Sequence, residues 1–167
     1  MHMIRIYLAM AVILLGNIRE IYPQSQLPDT NIKVIQFVES VIGISVGRGE
    51  CWDLADQALT SAGAQFDKTS KSTIYLFGER YNPEKDTILP GDIIQFENVT
   101  VTYQDGNMIF TENYSHHTAI VYLINEDGSL KLAHQNTSFG GRKVALSDFK
   151  LVNVKKGKLY FYHPIPE

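Results

Sequence analysis

Cysteine and tryptophan are nearly missing from this sequence: one of each occurs in 167 residues, side by side at Cys51 and Trp52. A single cysteine excludes an intrachain disulfide and any zinc site built from several thiolates. Charge of one sign is scarce too. The net value is -3 at pH 7 and no basic stripe is visible, which argues against nucleic acid as a partner. Long hydrophobic runs are also lacking: beyond residue 15 nothing approaches the run of about 20 apolar residues that a transmembrane helix needs. No internal repeat or low-complexity tract divides the chain. A hydrophobic content of 44% and a charged content of 20% suit an ordinary globular protein, and 167 residues fit one domain with a sizeable core.

One short apolar run does occur, residues 6–15, with Arg5 before it and Gly16, Arg19 and Glu20 after it. About 10 apolar residues are too few for a bilayer and suit the core of a secretory signal. Residues 1–25 are therefore expected to be a signal peptide, and residues 27–167 one domain of an exported protein. No cysteine follows the run closely, so no stable membrane anchor is expected.

The most informative stretch is residues 47–59, Gly-Arg-Gly-Glu-Cys-Trp-Asp-Leu-Ala-Asp-Gln-Ala-Leu. Gly47 and Gly49 read as a tight turn. From Trp52 onward Leu54, Ala55, Ala58, Leu59 and Ala62 recur at helical spacing, with Gly63 as the stop. Cys51 then starts a helix, where free N–H groups and the helix dipole favour a thiolate. An earlier amphipathic helix is marked by Ile32, Ile35, Val38, Val41 and Ile42. Residues 64–88 read as surface loop with a short strand at 73–77.

Strand signals dominate the rest. Leu89-Pro90-Gly91-Asp92 leads into a strand at 93–96, and residues 99–114 read as a hairpin turning at 104–107. Residues 117–124 and 130–136 form a second antiparallel pair, 146–149 a short turn or helix, and 158–163 a last strand. Helices first and antiparallel strands afterwards predict an α+β fold with a curved sheet or half-barrel.

Alternation puts His117, Ala119 and Val121 on one face, and Leu132, His134 and Asn136 on one face. If both faces point at the cysteine helix, Cys51, His117 and His134 can supply the thiol, the imidazole that takes and returns its proton, and the group that orients that imidazole. His116 points the other way, so only one of the two adjacent histidines is expected at Cys51. A zinc site from His116, His117 and His134 is disfavoured because neighbouring strand residues diverge. No cofactor and no metal is expected.

Gly49-Glu-Cys51 followed by Leu54-Ala55, then Leu89-Pro90-Gly91-Asp92-Ile93-Ile94, His117-Thr-Ala-Ile-Val121 and Gln135-Asn136 resemble, in that order, the CHAP and NlpC-like papain-fold families of cysteine, histidine-dependent amidohydrolases and peptidases. The resemblance covers about residues 45–136. It implies Cys51 as nucleophile, His117 as base, His134 as third polar residue and Asn136 as a further site residue. It also implies a peptide or peptidoglycan substrate. Two other readings fit the same residues: a Cys-dependent acyltransferase or deamidase acting on a protein or lipid, and a secreted binding domain with a degenerate site. Neither an inhibitor nor an immunity partner can be named from the residues.

Overall fold

A computed structural model describes residues 26–67 and 76–167. The expected signal peptide, and the strand expected at 73–77 up to residue 75, lie outside the described residues.

Two helices come first, α1 (Asp29–Val41) and α2 (Cys51–Ala62). The strands follow: β1 (Ala64–Gln65), β2 (Glu79–Tyr81), β3 (Ile93–Asp105), β4 (Met108–Ile124), β5 (Leu130–His134), β6 (Ala145–Phe149), β7 (Val154–His163) and β8 (Ile165–Pro166). Six of them build an antiparallel sheet in the order β2-β7-β3-β4-β5-β6, and β1 pairs with β8. This is an α+β, papain-like arrangement of two helices packed on an antiparallel sheet.

Helix α2 spans the expected residues. Gly63, at φ 66°, ends it in the left-handed region, where a residue without Cβ costs least. Residues 146–149 depart from expectation. They belong to strand β6 because Leu146 pairs with Ala133 and Phe149 with Leu130 along the exposed edge of β5. The hairpin is also longer than expected, with β3 and β4 holding one register from Ile93–Ile120 out to Asp105–Met108.

The sheet carries two separate apolar layers. Leu54, Ala55, Ala58 and Leu59 of α2 pack with Val34 and Val38 of α1 on the face that holds Ile93, Ile120, Ala133 and Tyr162. The opposite face gathers Ile94, Phe96, Ala119, Val121, Leu132, Phe149 and Phe161. This division decides where each histidine sits.

Candidate active site

The turn before α2 is built to hold Cys51 in place. Gly47 and Gly49 have φ of 58° and 84°, and a Cβ on Gly47 would come within 2.9 Å of the Asp53 side chain. Asp53, in the first turn of α2, accepts from the Arg48 backbone N–H at 2.7 Å and from its guanidinium at 2.8 Å. Gln135 grips the same turn from the sheet side. It accepts from the Val46 N–H at 3.1 Å and donates to the Val46 and Glu50 carbonyls at 2.9 and 2.7 Å. Sequence reasoning noticed Gln135 only as part of a motif. Its buried amide satisfies three backbone groups of a turn that has no regular partner.

The face carrying His117 and His134 turns away from α2, contrary to the alignment the sequence reading required. Ala119, Val121 and Leu132 on that face fill the second apolar layer, while Ile120 and Ala133 meet the helix. Cys51 meets β4 at its backbone instead. Val121 bonds to Asp92 and Gly91 on the β3 side, so by antiparallel alternation Thr118 turns its N–H toward β5. The last β4–β5 pair on this side is Ile120 with Ala133, two residues short of Thr118. The Cys51 sulfur accepts there from the backbone N–H groups of Thr118, Trp52 and Cys51 itself. It therefore rests against the peptide that joins His117 to Thr118.

His117 and His134 do come together, with Nε2 of His117 3.0 Å from Nδ1 of His134. Nε2 of His134 lies 2.8 Å from the Ser147 hydroxyl on β6. The His117 ring is wedged among Phe96, Tyr114 and His134. Burial, with the neighbouring His116 adding to it, pushes His117 down to about 4. Burial pushes His134 down to about 3, with His117 adding to it. Both imidazoles are neutral at ordinary pH.

Alternation along the strand predicts that His116 and His117 diverge. They do diverge, yet the structure places His116 on the cleft that Cys51 opens into. This cleft, about 440 Å³, is lined by Arg48, Glu50, Cys51, Trp52, His116 and Asn136. Nδ1 of His116 donates to the Glu97 carboxylate at 2.7 Å, and Gln95 donates to the same carboxylate at 3.0 Å. The reading missed Glu97. The register that would have found it is Glu97 opposite His116 and Phe96 opposite His117. Asn136 reaches the cleft but not the His117–His134 pair: at φ 60° its amide donates to Glu50 at 2.7 Å. Glu50 in turn holds Arg142 at 2.9 Å.

The thiol differs from the expected thiolate. Burial pushes Cys51 up, outweighing the N–H groups that favour the anion, and Glu50 adds to the rise. Alkylation of Cys51 by iodoacetamide in the unliganded protein should therefore be slow at neutral pH and gain speed only above the range where a free thiol ionises. Labelling at pH 7 faster than that of a free thiol, followed by intact mass, would contradict this.

Two helices packed on an antiparallel sheet, with a cysteine at the start of the second helix, form a cysteine proteinase fold of papain-like type. The model of the AIM3/BBC1 cysteine proteinase-fold domain matches residues 30–167, and the chain belongs to that family. The assignment points to a cysteine hydrolase. No curated protein matches the sequence. Two crystal structures of Ly7917 are similar, one of them with the hydrolyzing product of MDP. The TM-scores are 0.46 and 0.48, at 19% and 20% identity over 79% and 80% of this chain. The chain spans 62% of the Ly7917 chain in each comparison.

Proposed function

We propose that the protein is an exported cysteine hydrolase of the CHAP or NlpC-like type that cleaves amide bonds in peptidoglycan, as an amidase or endopeptidase. The observation that carries this reading is the hydrogen bond from the Thr118 N–H to the Cys51 sulfur, one residue along β4 from His117, which is itself bonded to His134. In the mechanism, Cys51 gives its proton to His117 as sulfur attacks the amide carbonyl. His134 orients the His117 ring through the 3.0 Å contact. In this reading the N–H of Cys51, at the start of α2, turns from the sulfur to the developing oxyanion. Water then hydrolyses the thioester. Because the thiol is not already ionised, proton transfer to His117 accompanies attack rather than preceding it. Asn136 shapes the cleft through Glu50. Support for the wall-peptide substrate comes from the CHAP-like order of motifs, and support for export from the apolar run at residues 6–15.

A second reading, acyl transfer to or from an apolar group, is favoured by a cavity of about 600 Å³ behind the pair. Its lining includes Phe96, Tyr114, Leu132, His134, Phe139 and Phe149. Purified peptidoglycan incubated with the protein and with Cys51→Ala separates the two. New amino groups with the wild type alone support the hydrolase; none with either protein, over hours at high enzyme, would overturn it. Mass analysis of the secreted protein tests removal of the N-terminal segment.

A further inference from the structure

The cavity on the far face of the sheet, about 600 Å³, shares no lining residue with the cleft at Cys51. Its size is that of a small-molecule site. Five aromatic side chains wall it: Phe96, Tyr103, Tyr114, Phe139 and Phe149. Phe96 meets Tyr114 at 50° with centroids 5.3 Å apart, and Phe149 at 76° with centroids 5.5 Å apart. Rings tilted in this way line a space rather than closing into a stack.

A carboxylate stands in this aromatic wall. Glu112 and Tyr114 are two apart on β4 and share a face. Tyr103 lies diagonally across on β3, since Val101 pairs with Glu112. Both tyrosine hydroxyls donate to Glu112, Tyr103 at 3.1 Å and Tyr114 at 2.5 Å. Burial first, and then Glu112, push both hydroxyls up, so they stay donors. A phenol that donates to an anion gains electron density in its ring, which makes the ring face a better seat for positive charge. The other charges lining the cavity are already paired, Asp148 with Lys131 at 2.8 Å and Lys150 with Asp127 at 2.8 Å. Among the described residues no cation is bonded to Glu112. His134, held neutral by burial, adds none. An anionic ligand would meet the Glu112 charge, and an apolar chain would strip water from that carboxylate without replacing it. An organic cation suffers neither penalty.

We infer that this cavity binds a small organic cation of the choline type, its methylated ammonium seated among the aromatic rings and against the Glu112 carboxylate. This goes beyond the hydrolase reading and does not depend on it. The methyl groups suit the apolar walls, while the charge faces the rings and the carboxylate. A primary ammonium is more strongly hydrated and gives up more on entering.

Isothermal titration of the purified protein with choline and with neohexyl alcohol, its uncharged carbon isostere, tests the inference. Choline should bind at one site, at least about tenfold more tightly than the alcohol. Glu112→Gln, whose amide oxygen can still accept from the tyrosines, should weaken choline about tenfold and leave the alcohol unchanged. Phe139→Leu, at an exposed position of the wall, should weaken choline about threefold. Phosphocholine is titrated in parallel. Affinity at or above that of choline identifies a headgroup ester as the source of the ammonium, and lower affinity the free amino alcohol. Equal binding of choline and the alcohol, or undiminished choline binding in a folded Glu112→Gln protein, overturns the inference. So does tighter binding of dodecanoate than of choline, which would give the cavity to an acyl chain. Absence of saturable choline binding up to about 20 mM overturns it as well.

Discussion

His117→Ala should reduce ester acylation and amide cleavage together, each by roughly 10²–10⁴-fold, since the base that receives the Cys51 proton is lost whatever the leaving group. The variant also removes the partner of a buried imidazole, so unfolding in urea should show a loss of about 1–3 kcal/mol from the unsatisfied His134 nitrogen. His117→Gln, which can still bond to His134, should recover part of that stability and none of the activity. A folded His117→Ala protein acylated at the wild-type rate would remove His117 from the mechanism. The pH dependence follows with its sign. Burial lowers the folded-state value of His117 to about 4 from about 6.5 in the unfolded chain, so the unfolded state binds more protons between those limits. Stability should therefore fall as pH drops from about 6.5 toward 4, by about 3 kcal/mol for this group alone. His134 acts in the same direction. Replacing His117 should flatten that acid limb.

Much of this site was legible in the sequence because it rests on local rules. Gly47, Gly49 and the alternation of Leu54, Ala55, Ala58 and Leu59 fixed the start and buried face of α2, and both glycines take the left-handed angles their turn requires. The pairing of His117 with His134 followed from period-2 alternation on two strands joined by a short turn. What alternation could not reveal is which sheet face meets the helix. That depends on the volume match of α2 with Ile93, Ile120 and Ala133, a tertiary property. Because β5 ends at His134, short of Thr118, the Thr118 N–H is left to the Cys51 sulfur. Glu97 was invisible for the related reason that its contact with His116 lies in cross-strand register, set by the β3–β4 pairing. Strand β6 was mistaken for a turn or helix because edge pairing with β5, rather than intrinsic preference, makes it a strand.

Asp92→Ala should be among the most destabilising single substitutions in the chain. The sequence marks Asp92 as the end of a Leu-Pro-Gly-Asp turn, and the structure makes it a junction. Its fully buried carboxylate accepts from Asn31 of α1 at 3.1 Å, from Tyr81 of β2 at 2.6 Å, from the Leu89 N–H at 2.8 Å and from His163 of β7 at 3.0 Å. His163 also stacks on Tyr81 at 3.9 Å. Alanine would strand several donors at once in a place water does not reach, and a loss of about 3–5 kcal/mol in urea unfolding is expected. A loss below about 1 kcal/mol would mean that the junction is idle. The His163 contact adds a pH signature opposite to that of His117. Hydrogen bonding to Asp92, followed by burial acting against it and the charges of Asp92, Asp86 and Glu79 acting with it, raises His163 above its ordinary value. The contribution is fully present below about 6.5, the unfolded value, and is lost as pH rises through the raised folded value. His163→Gln should remove this alkaline decline while leaving the acid limb of the His117–His134 pair in place. The two histidine systems thus bound a pH window of greatest stability from opposite sides.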